Sequence, residues 1–515
     1  MSELRPSWAT APTASTAPAA SEALSLDELL AGVPPVRETA VTEVALAARA
    51  GRRVIVLDDD PTGTQTVADV PVLTAWTPEN LRWALQQDAP GFFVLTNSRS
   101  LSEESARALT AQVAEACIAA AAQEGAEIVF ASRSDSTLRG HFPLETDVIS
   151  EVLARHGQPV DGIILVPAYV DAGRVTIGGE HWVRTNEGMR HAADTEFARD
   201  ATFGYRSSSL PEWVAEKSSG RIPAADVKLL TLDVIRSGGA DAVRELLEQV
   251  HGGRVVAVDS ATDDDLRIVS LAVLEAERQG RRFLYRIGPS FVRARLGQAA
   301  TPAIQGERLR AILEAGVGAN GRTNDDGSRA VGGLVVVGSH TALTTRQLER
   351  LRVTTPALAL ELDVTQAADP QRVKEAVTAL ADQVFDELGH GLVIVSTSRI
   401  LVTGADGEAS LALSRRVSAA LIDLVRDVRS RIRPAFVVAK GGITSSDVAT
   451  GGLGIVRSWA RGTMLPGIVS LWQPVGGSAD GIPYVVFAGN VGDDDSLAQV
   501  IGALQSSSLL PGKAS

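Results

Sequence analysis

The stretch VIVLDDDPTGTQ, residues 54–65, sets three adjacent carboxylates, Asp58, Asp59 and Asp60, directly behind four aliphatic residues. The aliphatics predict a buried strand. Pro61 and Gly63 predict that it stops in a turn, because proline cannot continue a ladder and glycine tolerates any backbone. Ligands of open α/β sheets bind at the carboxyl ends of strands, so the cluster is either a site or a costly accident of like charge.

A second loop, SRSDSTLRGH (132–141), again follows an apolar run and packs Arg133, Asp135, Ser136, Thr137 and Arg139 together. Two guanidinium forks and two hydroxyls around one carboxylate suit a ligand that carries both carboxylate and hydroxyl groups. A salt-bridged surface turn explains the same composition equally well. Arg174, in PAYVDAGR, follows another strand-like run and is a candidate anion ligand, although a lone loop arginine is more often a surface charge. His181 and His191 stand too far from other ligand types to argue for a metal centre.

The second half offers a different chemistry. In AKGGITSSD (439–447), Lys440 precedes Gly441 and Gly442, then Ile443, Thr444 and Ser445, a pattern able to cradle an oxyanion between backbone N–H groups and hydroxyls. A plain helix cap accounts for Thr444 and Ser445 but not for both glycines. AGNVGDDD adds Gly489, Asn490 and Gly492, and VGSHT adds Gly338, Ser339 and Thr341, each at a strand end. Neither GxxxxGK[ST] nor a GxGxxG after a strand occurs, so the common nucleotide fingerprints are missing. Together the three glycine loops are a moderate signal for phosphate binding.

These loops need strands and helices to hold them. From about residue 38, helical segments such as ETAVTEVALAARAG and the serine-capped SEESARALTAQVAEACIAAAAQEG alternate with the apolar runs VIVL, FFVLT, IVFAS, GIILVPA, VKLLTL and RVVAVD. LVVVGSH, LALELD, LVIVSTS, AFVVAKGG and YVVFAGNVG continue the pattern after a polar, glycine-rich break. The expected fold is two three-layer α/β/α domains with largely parallel sheets. Residues 1–37 are expected to form a flexible leader, 38–315 the first domain, 316–332 a linker and 333–515 the second domain.

Bulk properties agree. A chain of 515 residues exceeds a single core. Its 49 Lys and Arg against 62 Asp and Glu give a net charge of −13, which disfavours nucleic acid or an anionic membrane as partner. Cys117 is the single cysteine, so no intramolecular disulfide forms, and a reducing cytoplasm is the expected location. It falls in the alanine-rich VAEACIAAAA and is expected as a small buried helix residue. Association into a homo-oligomer is left open.

Taken in order, DDDPTGTQ, SRSDSTLRG, PAYVDAGR, GSHT, KGGITSS and AGNVG resemble the motif set of the four-carbon acid sugar kinase family, over nearly all of the chain from about residue 50 to 507. The resemblance implies an N-terminal domain for an acid sugar such as threonate, erythronate or 3-oxo-tetronate. It also implies a C-terminal domain for ATP, an active site in the cleft between them, and phosphate transfer to the terminal hydroxyl. Asp59, Asp60, Thr62 and Gly63 match its acidic motif, and Asp135, Ser136, Thr137 and Arg139 its sugar-binding loop. Ser339, Gly441, Gly442, Thr444, Gly489 and Asn490 match its nucleotide loops. The mechanism expected on that basis has Asp59 or Asp60 accepting the hydroxyl proton, Arg133 and Arg139 holding the carboxylate, and Mg²⁺ bridging phosphate oxygens. Pro61, Thr64-Gln65-Thr66 and His141 depart from the usual pattern, which leaves the particular acid open.

Two rival readings fit parts of the sequence. Asp58-x-Asp60-x-Thr62 is similar to the first motif of haloacid-dehalogenase-like phosphatases, with Asp58 as nucleophile, Lys440 as the neutralising lysine and Asp493 to Asp495 as metal ligands. DSTLRG would then have no role. A non-catalytic sugar-acid sensor would leave the second-half glycine loops without purpose.

Overall fold

The computed structural model describes Trp8 and residues 23–315, 332–399 and 407–507. The chain forms two compact units: the residues up to Thr66 with Ala75–Ala300, and Val67–Thr74 with the chain from Thr301 onward. Both are α/β, with mostly parallel sheets flanked by helices.

The strands in chain order are β1 (Arg53–Asp58), β2 (Val70–Leu73), β3 (Gly91–Leu95), β4 (Ile128–Arg133), β5 (Gly162–Val166), β6 (Arg174–Ile177), β7 (Glu180–Thr185), β8 (Gly188–His191), β9 (Lys228–Leu230), β10 (Arg254–Val258), β11 (Phe283–Ile287), β12 (Gly333–Val337), β13 (Leu358–Leu362), β14 (Val393–Thr397), β15 (Phe436–Lys440), β16 (Arg457–Leu465), β17 (Val469–Pro474) and β18 (Tyr484–Phe487). In the first unit β3-β1-β4-β11-β5-β10-β9 lie side by side, every neighbouring pair parallel. Burial on both faces is why these strands read as unbroken aliphatic runs. The helix Glu103–Glu124 begins at Ser102, whose hydroxyl accepts from Ser105 N–H, and ends at Gly125 in the left-handed region (φ 62°). Cys117 is buried in this helix, as expected.

In the second unit β13-β14-β12-β15-β18 are parallel, and β17, β16 and β2 extend the sheet antiparallel. β16, β17 and β2 were not anticipated, nor was β11. A separate antiparallel sheet, β6-β7-β8, also escapes the reading from periodicity because its strands are short.

The expected leader is structured over its described part. Leu24 pairs with Met189 of β8, the short helix Leu26–Leu29 carries a capping box at Ser25, and Leu24, Leu26 and Leu29 pack against Val175, Trp182 and Met189. Apolar residues in LSLDELL give this segment a face to bury. The helix Gly306–Ala315 falls in the second unit rather than the first. The expected linker, 316–332, lies outside the described residues except for Gly332. No helix among the described residues is long and apolar enough to cross a membrane.

Candidate functional site

Register brings the first-unit loops together. Asp58 pairs with Leu95 of β3 on one side and with Arg133 of β4 on the other, so the residues that follow these three strands emerge at one sheet edge. Asp58 is 1% exposed and accepts from Arg133 Nη1 at 2.9 Å. Burial, with the like charges of Asp59 and Asp60, pushes its carboxyl up to about 7 against the pull of Arg133. A Cβ at Gly63 would lie 1.9 Å from Asp58 Oδ2, so only glycine fits beneath that carboxylate.

Asp59 is also sealed. Arg99 grips it with Nη2 at 2.6 Å and Nε at 3.1 Å, and Ser134 Oγ donates to it at 2.6 Å. Asp60 is different, because its side chain is 23% exposed. It accepts from Arg99 Nη1 at 3.3 Å and from Thr62 N–H at 2.9 Å. Burial tends to raise its pKa, but the charges of Arg99 and Arg133 and the Thr62 hydrogen bonds outweigh it and hold the carboxyl below the usual range. Asp60 is therefore an ionised acceptor with an open side.

In the loop after β4, Arg139 Nε donates to Asp135 Oδ2 at 2.6 Å and the Thr137 hydroxyl donates to the same carboxylate. Burial opposes ionisation of Asp135, but Arg99 and Arg139 keep it well below the ordinary carboxylate range. Arg139 and Arg174 share one aromatic ring: their guanidinium carbons lie 5.0 and 5.9 Å from the Phe197 centroid, and Arg174 is 5.5 Å from that of Tyr169. Arg174 Nε is buried without an acceptor. Ser136 and Thr137 are buried, and their carbonyls accept from His181 Nε2 and the Tyr205 hydroxyl. Burial depresses His181 to about 4, so a neutral imidazole clamps this loop.

Arg133 was expected to face the ligand, but it points inward to Asp58. Arg99, which sequence reasoning missed, takes the outer position. Its signal was present: TNSRS follows FFVLT with the same apolar-run-to-polar-loop grammar as the other two loops. Behind it, Ser98 and Ser132 donate to opposite oxygens of buried Glu145, each at 2.6 Å, and Arg286 Nη1 donates to Glu145 at 2.9 Å. The network locks the strand ends.

In the second unit the loops after β12, β15 and β18 also converge. Gly338 and Ser339 N–H donate to the Lys440 carbonyl, and Gly441 N–H to that of Phe487. The hydroxyls of Thr341 and Thr344 both donate to the Gly489 carbonyl at 2.8 Å. A Cβ at Gly338 would meet Thr444 Oγ1 at 2.3 Å, and one at Gly489 would meet Ser339 Oγ at 2.5 Å. Gly441 has φ 129°, which an L side chain resists. Thr341 caps the helix Ala342–Thr354, and Ser445 Oγ donates to Ala439 O. Asn490 and Gly492 lie exposed in the following turn, Ile443 is 68% exposed, and Gly442 opens the helix Gly442–Asp447.

Lys440, expected among the phosphate ligands, is placed inward. Its Nζ donates to Ala488 O at 2.6 Å and sits 3.9 Å from the Phe487 ring centroid, and burial lowers its pKa to about 7. Among the described residues no group of three or more His, Cys, Asp or Glu side chains is poised to hold a metal. A magnesium ion that travels on nucleotide phosphates needs only one or two carboxylates.

Comparisons with known proteins divide the chain in the same way. Residues 54–295 match a family model described as a sugar-binding N-terminal domain, and residues 334–497 one described as a nucleotide-binding C-terminal domain. A D-erythronate kinase of Heliobacterium modesticaldum is 24% identical over 424 residues, 80% of this chain and 86% of that protein. A solved Salmonella typhimurium protein, described as a tRNA synthase, has the same fold with a TM-score of 0.61 at 17% identity, over 87% of this chain and 98% of that one. A Haemophilus influenzae protein assigned to a domain family of unknown function gives a TM-score of 0.57 at 17% identity, over 87% and 100%. The chain thus carries a sugar-binding domain followed by a nucleotide-binding one.

Proposed function

We propose that this chain is an ATP-dependent kinase that phosphorylates the terminal hydroxyl of a four-carbon acid sugar of the erythronate, threonate or 3-oxo-tetronate type. The observation that carries the reading is Asp60, an ionised carboxylate with an open side, at the same loop cluster as Arg99, Arg139 and Arg174. Guanidiniums suit the acid group of such a substrate, and Asp60 suits its hydroxyl. The D-erythronate kinase relative makes D-erythronate the first acceptor to try.

In this mechanism Arg139 and Arg174, spaced by Phe197, hold the acceptor's carboxylate, and Thr62 keeps Asp60 oriented. The glycine loops after β12, β15 and β18 receive the nucleotide phosphates. The terminal hydroxyl attacks the γ-phosphorus in line, its proton passes to Asp60, and ADP leaves. Asp59, saturated by Arg99 and Ser134, serves as an anchor for Arg99 rather than as the base. Most of the acceleration comes from positioning and charge neutralisation, with the base contributing about 10²–10⁴-fold. Mg²⁺ bound to the phosphates would supply further charge neutralisation.

The phosphatase alternative needs an accessible Asp58. That side chain is buried and paired with Arg133, and the Asp494 and Asp495 carboxylates are paired with Arg346 and Arg350. The test is ADP release with ATP, Mg²⁺ and a panel of four-carbon sugar acids. ADP formed only with an acceptor supports the kinase, and phosphate released from a sugar phosphate without ATP refutes it.

A further inference from the structure

The inward turn of Lys440 leaves the glycine loops with backbone N–H groups and hydroxyls but without the cation expected beside them. A nucleotide triphosphate carries several negative charges, and neutral donors alone seldom hold it. Arg399 stands in a position to supply the charge. β14 pairs with β12 so that Ser396 lies beside Val337, which brings Thr397, Ser398 and Arg399 alongside Gly338 and Ser339. Arg399 Nη2 donates to the Ser339 carbonyl at 2.7 Å and to Thr397 Oγ1 at 3.3 Å. Its other two nitrogens, Nε and Nη1, are shielded from water and have no acceptor.

Such an arrangement is costly. Buried donors on a charged group are almost always satisfied, and a guanidinium does not escape the cost by losing its proton. We infer that Arg399 is a nucleotide-binding residue, tied to the Ser339 loop through Nη2 and offering its positive charge and a single hydrogen bond, from Nε or Nη1, to a phosphate group of ATP. The inference rests on the ATP reading above and adds a cationic ligand that none of the sequence motifs contains.

The test is equilibrium binding of ATP, ADP and AMP to the full chain and to Arg399→Gln, with acceptor binding and the thermal unfolding midpoint measured on both. The expected result is loss of ATP affinity by about tenfold or more, unchanged acceptor affinity and an unfolding midpoint no lower than that of the parent. Arg399→Lys, which keeps the charge without the guanidinium, should fall between the two. Unchanged ATP affinity in Arg399→Gln overturns the inference. Absence of ATP binding to the parent chain overturns the kinase reading instead. Should Arg399→Gln fail to fold, phenylglyoxal modification of the parent, read by mass spectrometry, decides. ATP should protect Arg399, and equal modification with and without ATP refutes the assignment.

Discussion

Asp60 differs from its two neighbours in access. Asp58 and Asp59 are neutralised inside the unit by Arg133 and by Arg99 with Ser134, whereas Asp60 keeps an open side. Asp60→Asn preserves the shape and the Thr62 contact but removes the proton acceptor. Turnover should fall by about 10²–10⁴-fold with ATP affinity unchanged. Equal loss in a rate assay and in an ATP-binding assay would remove Asp60 from the role. Lys440 gives a prediction of another kind. Its folded pKa of about 7 lies below the ordinary 10.5, so below pH 7 both folded and unfolded forms are protonated and the burial cost is felt in full. Between pH 7 and 10.5 the unfolded chain still binds the proton and the folded chain does not, so stability rises with pH. Lys440→Met should therefore be more stable than the parent at pH 6, the gap narrowing above pH 7, with no loss of ATP affinity. Urea unfolding at pH 6 and pH 9 checks this; a gap independent of pH would contradict it.

At the scale of elements, the long parallel strands were legible because burial on both faces leaves an unbroken aliphatic signature, as in GIILV and LVVV. The strands that were missed break it for physical reasons. β11, FLYRI, carries Arg286, a buried charge that only its pairing with Glu145 from another element makes tolerable. β16, RSWARGTML, buries alternate residues and bends at Gly462, where φ is 133° and the pairing with β17 shifts register. Arg99 was missed for a related reason, since its partners Asp59 and Asp60 lie about 40 residues earlier and only strand register joins them. The docking of residues 23–37 was equally hidden, although Leu24 and the helix Leu26–Leu29 cover the small sheet whose first strand begins at Arg174. Removal of residues 1–37 should uncover Trp182 and Met189 and loosen Arg174. The expected outcome is a lower unfolding temperature and a several-fold higher KM for the acid, with KM for ATP unaffected. Parallel changes in both KM values would show that the segment does not act through Arg174.

On the scale of the whole molecule, length implied two or more domains, the glycine-rich break in the α/β pattern set the number at two, and the contrast between charged loops in one half and glycine loops in the other agreed with the division of labour that the family resemblance implied. The boundary was less legible. Val67–Thr74 belongs to the second unit because β2 pairs with β16, a partnership across almost 400 positions that no local pattern records. Composition also left the acid unidentified, because one inverted hydroxyl is read by side-chain geometry rather than by spacing. The most direct test of the account follows the γ-phosphate itself, by ³¹P NMR of the full chain with ATP, Mg²⁺ and D-erythronate or a related four-carbon acid. A phosphomonoester resonance coupled to a terminal CH₂ should grow in step with ADP, and only when the acid is present. Inorganic phosphate forming at the same rate with or without the acid, and no phosphomonoester, would contradict it.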